Sequence, residues 1–323
     1  MRLLCTLLVG VGLWCPLFGQ FTYEHLTVDY ESAIAFRNLQ LVPIREKTAG
    51  VMIPVNQGSG TSEQFTSLRD AMARNLLRIV DQAGVNQLLI DNLSDEPVLL
   101  LSGEILKGGK QDRMIGRDMV LPPNSRRNRV PVFCVEEKRW SSPKTWSYYH
   151  EGSMHLRRVV DQAQDQQQVW KEVAYELNRD RVASGTQAYT SHGNNPAFAA
   201  LEQEYVRVFA LEAFSDPGSI AGMLAVSGSV VLGCDVFASP ALFLSEYEGL
   251  VFSYIDEAIT YGLPVDMTTE AIRQYSDKLF SNERMQKAFI QQYGKAFTYE
   301  GRIIHITTFN DRETLRDYDA IRN

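Results

Sequence analysis

From residue 76 to residue 136 the sequence repeats one unit, a short apolar run closed by turn-forming residues. LLRIV (76–80), QLLIDN (87–92), PVLLLSGEIL (97–106), the segment 113–121 and RVPVFCVE (129–136) are all of strand length. Their connectors, Ala83-Gly84, Ser94-Asp95-Glu96-Pro97 and Pro122-Pro123-Asn124-Ser125, carry the residue types that tight reversals need. Short strands at this spacing, joined by antiparallel-type turns, predict a β-sandwich-like sheet. Helical spacing appears on either side: Leu68, Met72 and Asn75 within 66–75, then Val169, Trp170, Val173 and Leu177 within 159–177, then a helix over 198–214. IAGMLAVSGSVVLGCDVF (220–237) reads as two buried strands about Ser227-Gly228. Ser239-Pro240 opens a helix through 259, on which Phe243, Tyr247, Leu250, Val251 and Tyr254 recur every three to four residues. AFTYEGRIIHITTF (296–309) reads as a hairpin turning at Glu300-Gly301. The predicted class is α+β: an antiparallel β-sandwich-like core with packed helices and a C-terminal β-hairpin. The predicted division is a main domain over 20–265 with a helical and hairpin extension over 266–323 packed on it.

The opening MRLLCTLLVGVGLWCPLFGQ has the form of a secretory signal peptide. Arg2 is the positive end, Leu3 to Trp14 the apolar stretch, and Pro16 breaks the helix before the small Gly19. Cleavage after Gly19 leaves Gln20 as the mature N-terminus and predicts an exported protein, periplasmic or extracellular. The apolar stretch is shorter than the about 20 residues that span a bilayer, and no second membrane segment follows. Cys5 and Cys15 leave with the signal. Cys134 and Cys234 remain, with no spacing motif to pair them, and a small buried hydrophobe is the commonest fate of a free cysteine. The formal charge of −7 becomes about −8 once Arg2 is removed, which excludes the basic face that a nucleic-acid partner needs.

GEILKGGKQDRMIGRD (103–118) sets Glu104, Lys107, Lys110, Gln111, Asp112 and Arg113 around Gly103, Gly108 and Gly109, directly after a core run. Period-2 alternation puts Val98, Leu100, Ser102 and Glu104 on one face, and Val130, Val132, Cys134 and Glu136 on one face. If the two strands are near neighbours, both carboxylates extend buried rows at the same end of a sheet. There they are partly desolvated and need Lys110, Arg113 or Arg139. In the functional reading Glu104 and Glu136 do acid–base work or orient a ligand, while Lys110, Gln111, Arg113, Arg139 and Trp140 hold an anionic small molecule. In the structural reading a Glu–Arg network closes the end of the sheet. Gly108-Gly109 is no phosphate loop, since neither GxxxxGK[ST] nor GxGxxG is present.

LLLSGEILKGGKQDRMI, the following LPPNS, and VPVFCVEEKRW resemble the bacterial ARG and rhodanese-phosphatase-superfamily-associated protein domain family. The resemblance falls on Gly103, Glu104, Lys110, Gln111, Arg113, Cys134, Glu136, Arg139 and Trp140. Looser matches are Arg157, Val169-Trp170 and GCDVFASPALF, so that it covers roughly 41–261. Asp112 departs from it, standing where an Asn-like residue is expected. The resemblance implies a β-rich core with helices and a functional Glu/Lys/Gln/Arg pocket. It implies no established reaction, the family's name reflecting genomic association with ADP-ribosylglycohydrolases.

The five histidines, His25, His150, His155, His192 and His305, show no HExxH or other metal-ligand spacing, so neither a metal nor a cofactor is expected. His305 alternates with Ile304 and Ile306 as a half-buried strand residue. Ser102-Gly103 and Ser227-Gly228 are not nucleophile elbows. Trp140, Trp146, Tyr148 and Tyr149 cover a sheet edge or line a groove. Two functions remain: an exported binding or scaffold domain, or a hydrolase acting on a phosphate- or glycosyl-containing, ADP-ribose-like small molecule.

Overall fold

The structure, a computed structural model, describes residues 21–47, 65–80, 84, 86–139 and 144–309. The expected signal peptide, Gln20, Ala83 and Trp140 lie outside them. In chain order β1 (Leu26–Val28), β2 (Ile34–Phe36) and β3 (Leu39–Glu46) are followed by β4 (Thr66–Ser67) and α1 (Leu68–Ala73). Strands then dominate: β5 (Leu77–Val80), β6 (Gln87–Asn92), β7 (Val98–Leu100), β8 (Glu104–Gly109), β9 (Arg113–Ile115), β10 (Met119–Leu121), β11 (Asn128–Cys134) and β12 (Lys144–Glu151). Helices α2 (Met154–Ala163), α3 (Gln166–Arg179) and α4 (Pro196–Val208) come next, and β13 (Ile220–Ser227) and β14 (Val230–Phe237) follow. The chain closes with α5 (Pro240–Thr260), α6 (Thr269–Phe280), α7 (Glu283–Tyr293), β15 (Gly294–Tyr299) and β16 (Arg302–Phe309).

Among the described residues the strands form three sheets. The first runs β1-β3-β13-β14-β16-β15, with β2 also on β3; the second β10-β7-β4; the third β12-β8-β9-β11-β6-β5. All pairings are antiparallel except the short β4–β7 pair. The third and second sheets face each other across Leu88, Ile90, Leu106, Ile115 and Val130 on one side and Val98, Leu100 and Leu121 on the other. That is the sandwich-like core. The outer face of the third sheet is covered by α2 and α3 through Leu156, Val160, Val169 and Val173. The first sheet is covered on both faces, by α5 on one and by α6 and α7 on the other. Full covering explains why every residue of β13 and β14 is buried, and why those strands read as continuous rather than alternating runs.

Local chemistry sets the boundaries that matter here. The run 97–106 is not one strand: it breaks at residues 101–103, where Gly103 takes a φ of +108°. A Cβ there would stand 2.6 Å from Arg157 Cγ, so only glycine lets the chain pass over that side chain. The segment 113–121 likewise splits into β9 and β10, which belong to different sheets. The helical stretch 159–177 divides at Gln164, whose φ of 50° ends α2, and Asp165 caps α3 by accepting from Gln168 N–H. Ser239 caps α5 in the same way with Pro240 in its first turn, and α5 is buried on most sides. Glu300 and Gly301 both take positive φ, as a two-residue hairpin loop requires, and join β15 to β16 at the edge of the first sheet. No helix among the described residues is long and apolar enough to cross a membrane. Cys134 and Cys234 are both buried, and neither is in a disulfide.

Candidate functional site

The glutamates that looked alike in sequence lie in different neighbourhoods. β9 pairs with both β8 and β11, through Leu106 opposite Arg113 and Arg113 opposite Cys134. β8 and β11 therefore run in the same direction. With the strand broken at 101–103, Glu104 begins β8, level with Ile115 and Val132, whereas Glu136 lies two residues past the end of β11. Four residues of strand separate the two levels, about 13 Å. The shared pocket expected from the alternation is not formed.

Glu136 braces the β8–β9 turn from beyond the end of β11. Arg139 donates from Nε to both Glu136 carboxylate oxygens (2.8 Å each), from Nη1 to the Gly109 carbonyl (2.7 Å) and from Nη2 to the Gly108 carbonyl and Asp112 Oδ1 (3.1 and 3.0 Å). Glu136 also accepts from Asp112 N–H, and Asp112 accepts from Gly108 N–H and the Thr190 hydroxyl. Gln111 donates to the carbonyls of Glu136 and Glu137 and accepts from Arg113 Nη1. Burial raises the Glu136 pKa, but the bonds and charge of Arg139 outweigh it and hold the group below its ordinary value. Burial pushes Asp112 up. Of the three cations offered as partners, Arg139 is spent on the protein itself, Arg113 is buried and Lys110 is exposed. Glu136, Gln111, Arg113 and Arg139 are thus brought together, and they lock a turn.

Glu104 faces the interior, where β8, β12, β14, β16, α2 and α5 meet. Its Oε2 accepts from Leu101 N–H at 2.6 Å, while Oε1 has no hydrogen-bond partner. Directly opposite on β12 stands Glu151, and Glu246 of α5 approaches both. Burial, then the charges of Glu246 and Glu151, raise the Glu104 pKa well above the carboxylate range. Burial also lifts Glu151, to about 7, and raises Glu246 strongly.

A continuous ionic chain leads away from these carboxyls. Arg157 Nε lies 3.2 Å from Glu151, and its Nη2 pairs with Asp235 Oδ1 at 2.9 Å. Asp235 accepts in addition from Tyr254 (2.6 Å) and His305 Nε2 (2.9 Å). The other ring nitrogen of His305 bonds Asp118 at 3.0 Å. Asp118 accepts from Ser102 N–H and pairs with Lys295, which reaches the half-buried Asp161. Burial works against the charged forms, yet Arg157 and His305 hold Asp235 ionised, and Lys295 and His305 hold Asp118 ionised. Burial would lower His305, but its bonds to Asp118 and Asp235 outweigh that and lift it to about 9. His305 is therefore fully buried and ion-paired, not a half-buried strand residue.

The sequence reading named Glu104 and touched Arg157 and His305 in this region, but missed Asp118, Glu151, Asp235, Glu246 and Lys295. The available signal was charge inside apolar runs: Asp235 interrupts VVLGCDVF, and a buried charge is far more informative than an exposed apolar residue. Trp146, Tyr148 and Tyr149 sit on β12, the edge strand of the third sheet, and pack onto its two cores.

No curated protein and no solved structure matches this chain. A family model, the ARG and Rhodanese-Phosphatase-superfamily-associated Protein domain, matches residues 27–309, from β1 through the C-terminal hairpin. With the whole first sheet except Leu26 of β1, and all three quoted motif stretches, inside that match, the chain belongs to the ARG and Rhodanese-Phosphatase-superfamily-associated Protein domain family.

Proposed function

We propose that the protein is an exported small-molecule-binding domain whose recognition site is the carboxyl group cluster of Glu104, Glu151 and Glu246. One observation carries this reading. Glu104 Oε1 and Glu246 Oε1 are buried, come from two different elements and have no hydrogen-bond partner in the protein, and Glu151 Oε2 beside them has only the ion pair with Arg157 Nε. Buried polar atoms are nearly always satisfied, and two orphaned oxygens in one place, on carboxyl groups whose raised pKa favours the neutral form, call for a polar partner from outside the chain. The nearby Ser102 hydroxyl is orphaned as well. The ligand class this favours carries groups that donate and accept at once, such as sugar or polyol hydroxyls. The anion expected from Arg113 and Arg139 has less support, because Arg139 is already fully engaged.

A hydrolase acting on a phosphate- or glycosyl-containing small molecule has one observation in its favour. A neutral Glu104 and an ionised Asp235 share one network, and such a split in protonation is the arrangement that acid–base chemistry uses. Mass spectrometry of small molecules released on denaturing the purified mature chain tests both readings. Binding predicts a released compound that is absent from folded Glu104→Gln; hydrolysis predicts that the compound is a product and that wild type consumes its precursor. If nothing is released, and sugars, polyols, amines and ADP-ribose leave the melting temperature unmoved, the site is framework. Export is checked separately by N-terminal sequencing, which should start at Gln20.

A further inference from the structure

His150 precedes Glu151 on β12 and so points to the opposite side of the strand. Its ring stacks on Phe252 of α5, with centroids 4.5 Å apart. Its Nδ1 lies 2.5 Å from the carbonyl of Glu151, and a carbonyl can only accept, so Nδ1 carries the proton and Nε2 presents a lone pair. That lone pair has no partner. Glu202 Oε1 of α4 lies 3.9 Å from it, and a carboxylate oxygen of Asp256 on α5 completes a group in which one ligand atom from each residue lies within 4.8 Å of the others. Neither Glu202 Oε1 nor Asp256 Oδ1 takes a hydrogen bond from an N–H or O–H of the protein, and the Glu202 and Asp256 carboxyl groups lie within hydrogen-bonding reach of each other instead, although His150, Glu202 and Asp256 are only 6, 7 and 1% exposed.

We propose that His150, Glu202 and Asp256 bind a divalent transition-metal ion, with zinc the ion that one imidazole nitrogen and two carboxylate oxygens suit best. Two buried carboxylates facing each other need a cation or a shared proton between them. The imidazole is held in the neutral, metal-ligating tautomer by a backbone carbonyl, which is how ligating histidines are ordinarily oriented. Asp256 is steadied in the same manner. Its Oδ2 accepts from the Tyr189 hydroxyl at 2.6 Å, and that hydroxyl accepts from Ser153 N–H at 2.9 Å. A tetrahedral ion with bonds of about 2.1 Å separates its donors by roughly 3.4 Å, so the donors, 3.9 Å apart for His150 and Glu202 and all within 4.8 Å, draw together on binding. The three ligands come from β12, α4 and α5, so no sequence spacing announces them.

The test is metal analysis of the purified chain, followed by titration of chelator-stripped protein with Zn²⁺ and with Co²⁺ as a visible reporter. Wild type should take up one equivalent, show the absorption of tetrahedral cobalt, and recover on zinc addition the melting temperature lost on stripping. Asp256→Asn and His150→Gln should each weaken uptake by about tenfold or more. If either fails to fold, Glu202→Gln, the least buried of the three, replaces it. Glu104→Gln should keep the metal, which separates this site from the carboxyl group cluster. Folded wild type that takes up neither ion would assign the cluster to a proton shared by Glu202 and Asp256. Uptake unchanged in every ligand variant would equally overturn the proposal.

Discussion

Arg157→Met removes the one guanidinium on which the interior network turns. Arg157 is 1% exposed, and besides Glu151 and Asp235 it donates to the hydroxyls of Ser253 (3.3 Å) and Thr307 (3.5 Å). Methionine fills much of the space but leaves Asp235 buried with its main counter-ion gone. Cutting one partner from a buried pair costs about 3–5 kcal/mol. The lower end applies here, because His305 and Tyr254 still bond Asp235. About 3 kcal/mol is a large share of the roughly 5–15 kcal/mol that holds a domain together. At about 2–3 kcal/mol per molar urea it lowers the unfolding midpoint by about 1–1.5 M. Urea titration followed by circular dichroism reads that shift. Adding Asp235→Asn removes the stranded charge, so the double variant should lose less than the sum of the single losses, by about 1 kcal/mol or more. A single variant within about 0.5 kcal/mol of wild type, or strictly additive losses, would refute the network as a source of stability.

Three further outcomes follow from named contacts. His305 is protonated when folded up to about pH 9, against 6.5 for an ordinary histidine, so its pairing with Asp118 and Asp235 stabilises the fold fully below pH 6.5. About 3 kcal/mol of that is lost as the pH rises through 9, and His305→Gln should flatten this alkaline limb of a stability–pH curve. Gly103→Ala sets a Cβ against Arg157 at a φ of +108°, and a loss of about 2–4 kcal/mol in denaturant unfolding is expected from strain and overpacking together. Arg139→Met leaves Asp112 and Glu136 facing each other and should destabilise by about 3 kcal/mol without altering any ligand that co-purifies, as measured by unfolding and mass spectrometry side by side.

What the sequence revealed depended on whether a local signal existed. β13, β14, α5 and the Glu300-Gly301 hairpin were readable because a turn pair, a proline cap and sustained apolar runs each mark them without help from distant residues. The break at 101–103 was not, since Leu99 to Leu106 stays apolar on both sides of it and only the side chain of Arg157, far along the chain, dictates the turn. β3 was hidden for a similar reason. Pro43 sits in a strand paired on both sides, a place where proline argues against a central strand. In the site, Glu136, Arg139 and Gln111 lie close in sequence and could be grouped by spacing. Glu104, Glu151 and Glu246 converge from two strands and a helix, and the moment strand 97–106 breaks, the alternation that linked Glu104 to Glu136 no longer applies.

The pH dependence of Glu104→Gln decides whether that convergence is a framework or a held site. Glu104 is protonated in the fold well above the pH at which it ionises in the unfolded chain. Native protein then binds a proton that unfolded protein does not, and stability falls with rising pH by about 1.4 kcal/mol per unit until the folded pKa is passed. Glutamine is nearly isosteric with the neutral acid, keeps the acceptor for Leu101 N–H, and has no such dependence. Near pH 4 the variant and wild type should therefore unfold at nearly the same denaturant concentration. As the pH rises toward 7 the variant should become the more stable of the two, while any bound small molecule is lost. A fold that tolerates a stability deficit at one residue, and loses only a ligand when the deficit is removed, holds that residue for binding. The opposite slope, with Glu104→Gln falling behind wild type as the pH rises, would mean that Glu104 is ionised and paired in the native state and belongs to the framework alongside Glu136.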